Sequence, residues 1–217
     1  MAYKVLNNVS VKDVTSSDLL SLKTDLLVIV INKNTKDKVV NQLAKDVSSH
    51  LKESGSSVLV PNAKSFNAKN VLLVKGFQDS DQIHKLISMY QSIAQKGNQL
   101  KAKDISIMPG TVYPKGKCEM WLIEMVAKTI ESNVYIFSET CNKTAKKPSV
   151  KKLNILVSSL TKSDLIKAKN AAKKGYAIGE GVNSAKYLGD LPANHCTPRI
   201  IEKKVKAMTK DFPKLKV

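Results

Sequence analysis

The apolar positions of this chain alternate between short continuous runs and stretches with helical spacing. Thr24 to Ile31 (TDLLVIVI) is a continuous run. Its length and Val/Ile content predict a central strand buried on both faces. Further strands are predicted at residues 3–9 (YKVLNNV), Val58–Val60 ended by Pro61, Val71–Val74 closed by Gly76, Ile105–Met108 before Pro109-Gly110, and Leu153–Val157. Between them the period changes to that of a helix. Residues 38–54 put Val40, Leu43, Val47 and Leu51 on one side with Gly55 as the stop. Residues 81–96 place Ile83, Leu86, Ile87, Tyr90, Ile93 and Ala94 on the helical template, with Gly97 expected to end it. Residues 117–131 carry Trp121, Leu122, Met125, Val126 and Ile130 at steps of three and four. Either an extension of this helix to Phe137 or a short strand at 134–137 fits the spacing. Residues 142–152 (NKTAKKPSVKK) read as a basic loop around Pro148. Thr161 and Asp164 then look like the cap and first-turn acid of a long helix running to about Leu188. No internal repeat is visible. Strands alternating with helices predict an α/β layer around a mainly parallel sheet.

The chain is organised around Ala171 to Pro198, AAKKGYAIGEGVNSAKYLGDLPANHCTP. Ile178, Val182, Ala185 and Leu188 recur as one helical face. Gly175, Gly179 and Gly181 interrupt it, each costing about 1 kcal/mol relative to alanine in a helix interior. Close approach of another backbone explains such a cluster, because glycine has no side chain to obstruct it. Gly189 is expected to end the helix in the left-handed conformation, and Pro192 to forbid its resumption. Thr197-Pro198 reads as a cap followed by proline at the first position of a new helix, with Ile201, Val205 and Met208 on one side.

Two consecutive patterns here carry a family resemblance. Gly181-Val182-Asn183-Ser184-Ala185-Lys186-Tyr187-Leu188 follows G-x-x-x-A-[RK]-x-L, and Pro192-Ala193-Asn194-His195-Cys196-Thr197-Pro198 follows P-x-N-x-x-[TN]-P. The stretch resembles the junction of the leucyl (cytosol) aminopeptidase family, in which this segment joins an N-terminal domain to a catalytic one. The resemblance implies a three-layer, macro-domain-like mixed sheet with flanking helices over residues 1–160, a linker helix over 161–190, and the start of a catalytic domain over 191–217. The family's catalytic signatures, G-K-G-x-x-F-D-[ST]-G-G and N-T-D-A-E-G-R, are not in these 217 residues. The segment is therefore expected to be non-catalytic, serving assembly or access, with no catalytic, cofactor-binding or metal-binding residues of its own. For the complete enzyme the resemblance implies a cytoplasmic homohexamer that removes N-terminal amino acids from peptides. It would use two divalent cations (Mn or Zn), held by a lysine and carboxylates of the two signatures. The implied partners are the chain's own catalytic domain, further copies and peptide substrates.

The charge complicates this picture. Thirty-six Lys+Arg against eighteen Asp+Glu give a formal net charge of +18. Such an excess attracts nucleic acid and other polyanions, so a basic module for nucleic acid or a phosphorylated ligand is the alternative reading. Arg199 is the only arginine, however, and bidentate readers of phosphate and guanine are usually arginines. Hydrophobic content of 42% suits a globular core, and no apolar run approaches the roughly 20 residues of a membrane span. The first residues, MAYKVLNNVSVKD, alternate as a strand does and do not read as a secretory signal. Three scattered cysteines, Cys118, Cys141 and Cys196, suggest a reducing compartment and no disulfide framework.

Candidate chemistry is sparse. His50, His84 and His195 are the only histidines, and none stands at metal-ligand spacing from a second histidine or cysteine. No serine sits in a G-x-S-x-G elbow. Cys196 lies beside His195 and near a helix start, which could lower a thiol pKa, but a conformational role in the turn is preferred. Asn194 reads the same way, since turn asparagines usually bond their own backbone. The macro-like outline invites a comparison with ADP-ribose binders. Asp25 precedes the buried strand and Asn32-Lys33-Asn34-Thr35 follows it, but the small residues of the usual loop are replaced. Lys115-Gly116-Lys117 is a poor substitute for a diphosphate-cradling glycine loop.

Overall fold

The computed structural model describes residues 5–31, 51, 53–77, 83–110, 113–140, 147–211 and 214–216. In chain order these form β1 (Asn8–Asp13), α1 (Ser16–Ser21), β2 (Thr24–Ile31), β3 (Ser57–Pro61), β4 (Ala68–Lys75), α2 (Ile83–Gln99), β5 (Asp104–Met108), α3 (Glu119–Val134), β6 (Lys152–Val157), α4 (Lys162–Asp190), a single 3₁₀ turn (Ala193–His195) and α5 (Pro198–Asp211).

One six-stranded sheet runs β1-β6-β5-β2-β4-β3. All neighbouring pairs are parallel except β3, which lies antiparallel to β4 at the edge. The sheet is thus mixed with a parallel core, and β2 sits in its middle. Leu26 and Val28 point to one face and Leu27 and Ile29 to the other, all four fully buried. A proline closing β3 is tolerated because an edge strand leaves one side of its backbone unpaired.

The larger core lies between the sheet and α2, α3 and α4. There Ile105, Ile107, Leu153 and Ile155 meet Tyr90, Ile93, Leu122, Ile123, Val126 and Ile130. The opposite face carries a smaller cluster, in which Leu27, Ile29, Val71, Leu73 and Leu156 pack with Leu19 of α1 and Phe66. α1 is held by a reciprocal cap: Asp18 N donates to Thr15 Oγ1 at 3.3 Å and Thr15 N to Asp18 Oδ2 at 2.9 Å.

Several boundaries differ from the sequence expectations. The first strand is Asn8–Asp13; of the expected residues 3–9, residues 3–4 lie outside the described residues, and Val5 and Leu6 are buried and donate to a helix side chain. α1 was not anticipated, although T-x-x-D before two leucines is a capping signal. The helix expected over 38–54 falls almost wholly outside the described residues. Of its end, Leu51 and residues 53–54 are not helical, and Gly55 turns at φ 85°. Gly97 does not end α2. It lies inside the helix because an added Cβ would stand 2.6 Å from Ile105 Cδ1, and the reversal comes at Lys101 with φ 53°. α3 continues three residues past 131 to Val134 and then turns extended at Tyr135, so neither the extension to Phe137 nor a strand at 134–137 forms.

Candidate functional site

α4 has 29 residues and is about 43 Å long at 1.5 Å per residue. Thr161 caps it by accepting from Asp164 N at 3.1 Å. Its buried side consists of Ala168, Ala172, Gly175, Gly179 and Asn183, pressed against α3. The glycines are what allow this. A Cβ on Gly175 would stand 2.0 Å from the Glu124 carbonyl oxygen, and one on Gly179 would stand 2.7 Å from Glu131 Cβ. The close-approach reading therefore holds for these two positions.

The periodic apolar face lies mostly outward, with Leu188 half-buried. Ile178 is 39% exposed and Val182 37%, and Ala185 is also exposed. Helix packing here is governed by how near the backbones come, and α3 leaves no room for large side chains. Among the described residues nothing lies within 4 Å of a Cβ added to Gly181 or Gly189. Gly189 also remains helical, with the helix ending at Leu191, so the left-handed ending is not found. Replacing Gly181 by alanine is expected to raise stability by up to about 1 kcal/mol through helix propensity alone. A denaturant midpoint that falls would show a contact at this position.

At the centre of the α3–α4 contact is a buried carboxylate. Glu131 is fully buried on α3. It accepts from Val5 N at 2.8 Å, Leu6 N at 3.0 Å and Asn183 Nδ2 at 2.9 Å. Asn183 Nδ2 also donates to the Glu131 carbonyl at 3.0 Å, while its Oδ1 has no partner among the described residues. Tyr176 of α4 adds a bond from its hydroxyl to Leu6 O at 2.8 Å. Glu131 thereby ties three segments together: residues 5–6, α3 and α4. Burial pushes its carboxyl above the ordinary range, opposed by the three donors. Burial, with Glu180 nearby, likewise pushes the Tyr176 phenol up.

The far end of α4 is fastened by polar side chains. Lys186 Nζ donates to Ser132 O at 2.6 Å, and Tyr135 OH to Asp190 Oδ2 at 2.8 Å. Tyr187 meets the Phe137 ring at 6.2 Å between centroids, and Lys204 of α5 sits over the Tyr187 ring at 4.5 Å. Leu191 is buried as the turn begins; His195 N and Cys196 N then bond to Pro192 O and Ala193 O. Proline opens α5 at Pro198, as its sequence suggests. The notched helix and its proline turn are therefore an arm fastened to the sheet domain, with Ile166, Ile178 and Val182 exposed among lysines on its outer side.

The other candidate residues do not converge. His84 is exposed on α2, His195 and Asn194 are exposed in the 3₁₀ turn, and Cys196 is half-buried beside them. Cys118 is exposed just before α3. Lys115-Gly116-Lys117 forms an exposed turn with φ 76° at Gly116 and no neighbour that would cradle a ligand. Asp25 is engaged by Lys69 Nζ at 2.6 Å and by Lys103 N at 2.8 Å, and the lysine holds its carboxyl below the usual range. His50, Cys141 and Asn32 to Thr35 lie outside the described residues. Among the described residues no three His, Cys, Asp or Glu side chains stand close enough to share a metal ion. A pocket of about 220 Å³ opens between β3, β4 and α2, floored by Leu72, Val74, Met89 and Ile93, with Lys96 its only ionisable lining residue. Among the described helices none is long and apolar enough to cross a membrane.

The sequence reading missed Glu131, Asn183 and Tyr176. A faint signal existed for the first: an acid one step from Ile130 on the apolar side of α3.

These features define an α/β sheet domain that carries a long, glycine-packed helical arm. Comparison with known proteins agrees. No family model matches the chain. The cytosol aminopeptidase of Pseudomonas aeruginosa is 26% identical over 212 residues, covering 91% of this chain and 42% of that protein. A "probable cytosol aminopeptidase" of Azotobacter vinelandii is 28% identical over 218 residues, covering 94% and 43%. Among solved structures, a mutant tomato leucine aminopeptidase matches with TM-score 0.68 at 18% identity over 95% of this chain and 42% of its own. The bottromycin maturation enzyme BotP in complex with Mn matches with 0.62 at 15% over 87% and 36%. The structural likeness is one of fold. The chain is similar to proteins named cytosol aminopeptidase and spans less than half the length of the curated relatives it matches.

Proposed function

We propose that this chain is the N-terminal, non-catalytic region of a cytosolic leucyl aminopeptidase. The division into a sheet domain at 1–160, a linking arm at 161–190 and the beginning of a catalytic body at 191–217 belongs to the same proposal. The observation that carries it is the alignment over 91% of the chain, which cannot avoid α4 and the turn after it. The complete enzyme would hydrolyse peptides from the N-terminus, assemble as a hexamer and depend on two divalent cations.

Three of the described carboxylates are already engaged within the chain. Glu131 is enclosed by hydrogen-bond donors, Asp25 is paired with Lys69, and Asp164 bonds Thr161 and Lys167. What the segment contributes is placement. A helix tied at its centre by Glu131 and at its end by Lys186 and Asp190 fixes where the polypeptide beyond it emerges relative to the sheet. A catalytic body held in that way could keep a constant opening to its substrates.

The purified 217-residue chain is expected to show no release of p-nitroaniline from leucine p-nitroanilide with added manganese. Turnover that follows the chain through purification would overturn the non-catalytic assignment.

A further inference from the structure

The sheet has two edge strands, and they differ. β1 carries Lys12 and Asp13 and packs with α4. β3, at the other edge, is Ser57-Val58-Leu59-Val60-Pro61, the one strand of the six without a charged residue. Edge strands usually carry a lysine or an inward-pointing charge that discourages pairing, so an uncharged edge is unexpected in a chain of net charge +18. The register shows which groups it leaves open. Asn62 N donates to Lys69 O and Lys75 N to Ser56 O, each at 2.9 Å, so the even-numbered residues face β4. Ser57 and Leu59 therefore turn N–H and C=O outward. Pro61, which has no N–H, turns out only its carbonyl. Among the described residues nothing pairs with that side.

The pocket between β3, β4 and α2 adjoins this edge. Leu72, Val74, Met89 and Ile93 floor it, and Ser57 lines it from the strand. Its volume of about 220 Å³ is below the roughly 300–1,000 Å³ of small-molecule sites and suits a single side chain. Lys96 lines it from α2, half-buried, and among the described residues makes no ion pair. Leu59 packs toward the same core as this floor, so alternate side chains of a strand added beside β3 would point to the pocket's side of the sheet. We infer that the β3 edge and this pocket together bind the C-terminal end of an extended peptide, with an apolar side chain in the pocket and the terminal carboxylate at Lys96.

The chemistry favours that occupant. Main-chain bonds to an open edge supply affinity whatever the sequence, and a pocket for alternate side chains supplies selection. A half-buried ammonium group without a partner adds a preference for an anion, which the end of a peptide brings. A second copy of this chain fits less well. Two chains of charge +18 repel each other. In a β3-to-β3 pair centred on Leu59, moreover, Pro61 of one copy would meet Ser57 of the other and offer its carbonyl no donor. The inference rests on the edge and the pocket alone and stands or falls without the aminopeptidase reading.

The test is fluorescence anisotropy with the 217-residue chain and a hexapeptide of alternating threonine and valine that ends in valine. The peptide is labelled at its N-terminus and keeps a free C-terminal carboxylate. Saturable binding is expected. Amidating the C-terminus should weaken it about tenfold, because a hydrogen bond to a charged group is lost. Lys96→Gln should weaken the acid peptide by a similar factor and leave the amide unchanged. Ser57→Pro removes one outward N–H at an edge position that tolerates proline, and should weaken both peptides about threefold or more. Should Ser57→Pro not fold by circular dichroism, hydrogen exchange on the unaltered chain replaces it, and the amides of Ser57 and Leu59 should gain protection when the acid peptide is added. No saturable binding, equal binding of acid and amide, or affinity unchanged in folded Ser57→Pro overturns the inference. So does unchanged exchange at Ser57 and Leu59. A dimer in sedimentation at micromolar concentration that Ser57→Pro returns to monomer also overturns it, since a second copy then holds the edge.

Discussion

Gly175→Ala is expected to lower the stability of the folded chain by about 3 kcal/mol, the upper end of what overpacking usually costs. The added methyl would stand 2.0 Å from the Glu124 carbonyl oxygen, 2.8 Å from its carbon and 3.0 Å from its Cα. All three are backbone atoms of α3, so no rotamer change can relieve the overlap, and the two helices must separate. Separation also lengthens the bonds that Asn183 makes to Glu131. The gain in helix propensity from glycine to alanine, about 1 kcal/mol, is too small to offset this. The denaturant midpoint reports the loss, with the slope of the transition unchanged. The opposite result at Gly181, where an added Cβ meets nothing, makes the pair diagnostic. If both alanine variants shift the midpoint in the same direction, the α3–α4 contact is not as described.

Removing the Glu131 carboxylate should have an effect of similar size. Glu131→Ala leaves Val5 N and Leu6 N buried without their acceptor and removes one of the two acceptors of Asn183 Nδ2. Each such orphan costs about 1–3 kcal/mol, so a loss of about 3 kcal/mol or more is expected. The amides of Val5 and Leu6 should lose protection from hydrogen exchange before the core strands do, because their bonds to α3 are the ones removed. Protection that stays at the wild-type level would sink the role given to Glu131 as a tie.

The same residue makes a signed pH prediction. Burial raises the Glu131 carboxyl above its ordinary value in the folded chain. Its contribution is therefore fully present below the unfolded pKa of about 4.3 and is lost as pH rises through the higher folded value. The stability difference between wild type and Glu131→Gln should shrink from acid toward neutral pH. Asp18, Asp25 and Asp164 are held below their ordinary values, so their contributions run the other way. Comparing the two proteins cancels those shared contributions. A difference that grows with pH would mean the donors outweigh burial at Glu131.

How much of this was legible beforehand varied with the range of the interactions. The buried run of β2 announced a central strand, and β4, β5 and β6 lay within a few residues of their expected positions. Apolar periodicity is a local property, and a strand buried on both faces needs no alternation. The same periodicity failed on α4. It marked Ile178, Val182, Ala185 and Leu188 as one face, whereas the buried side is Ala168, Ala172, Gly175, Gly179 and Asn183. Hydrophobic spacing cannot distinguish a helix pressed backbone to backbone from one packed through large side chains. Gly97 shows the same limit: a glycine inside a helix and one at its end look alike until the neighbouring Ile105 is in place.

Alone, the amino-acid order settled the class of fold, the position of the notched helix with its proline turn, and the family likeness that rests on them. These depend on residues near one another in the chain, whose conformational preferences act without help from the rest. Two things waited for the folded molecule: which side of α4 faces inward, and the burial of Glu131 among donors from two other segments. Each joins residues from distant parts of the chain. Such juxtapositions arise from strand order and helix approach, which no local spacing encodes.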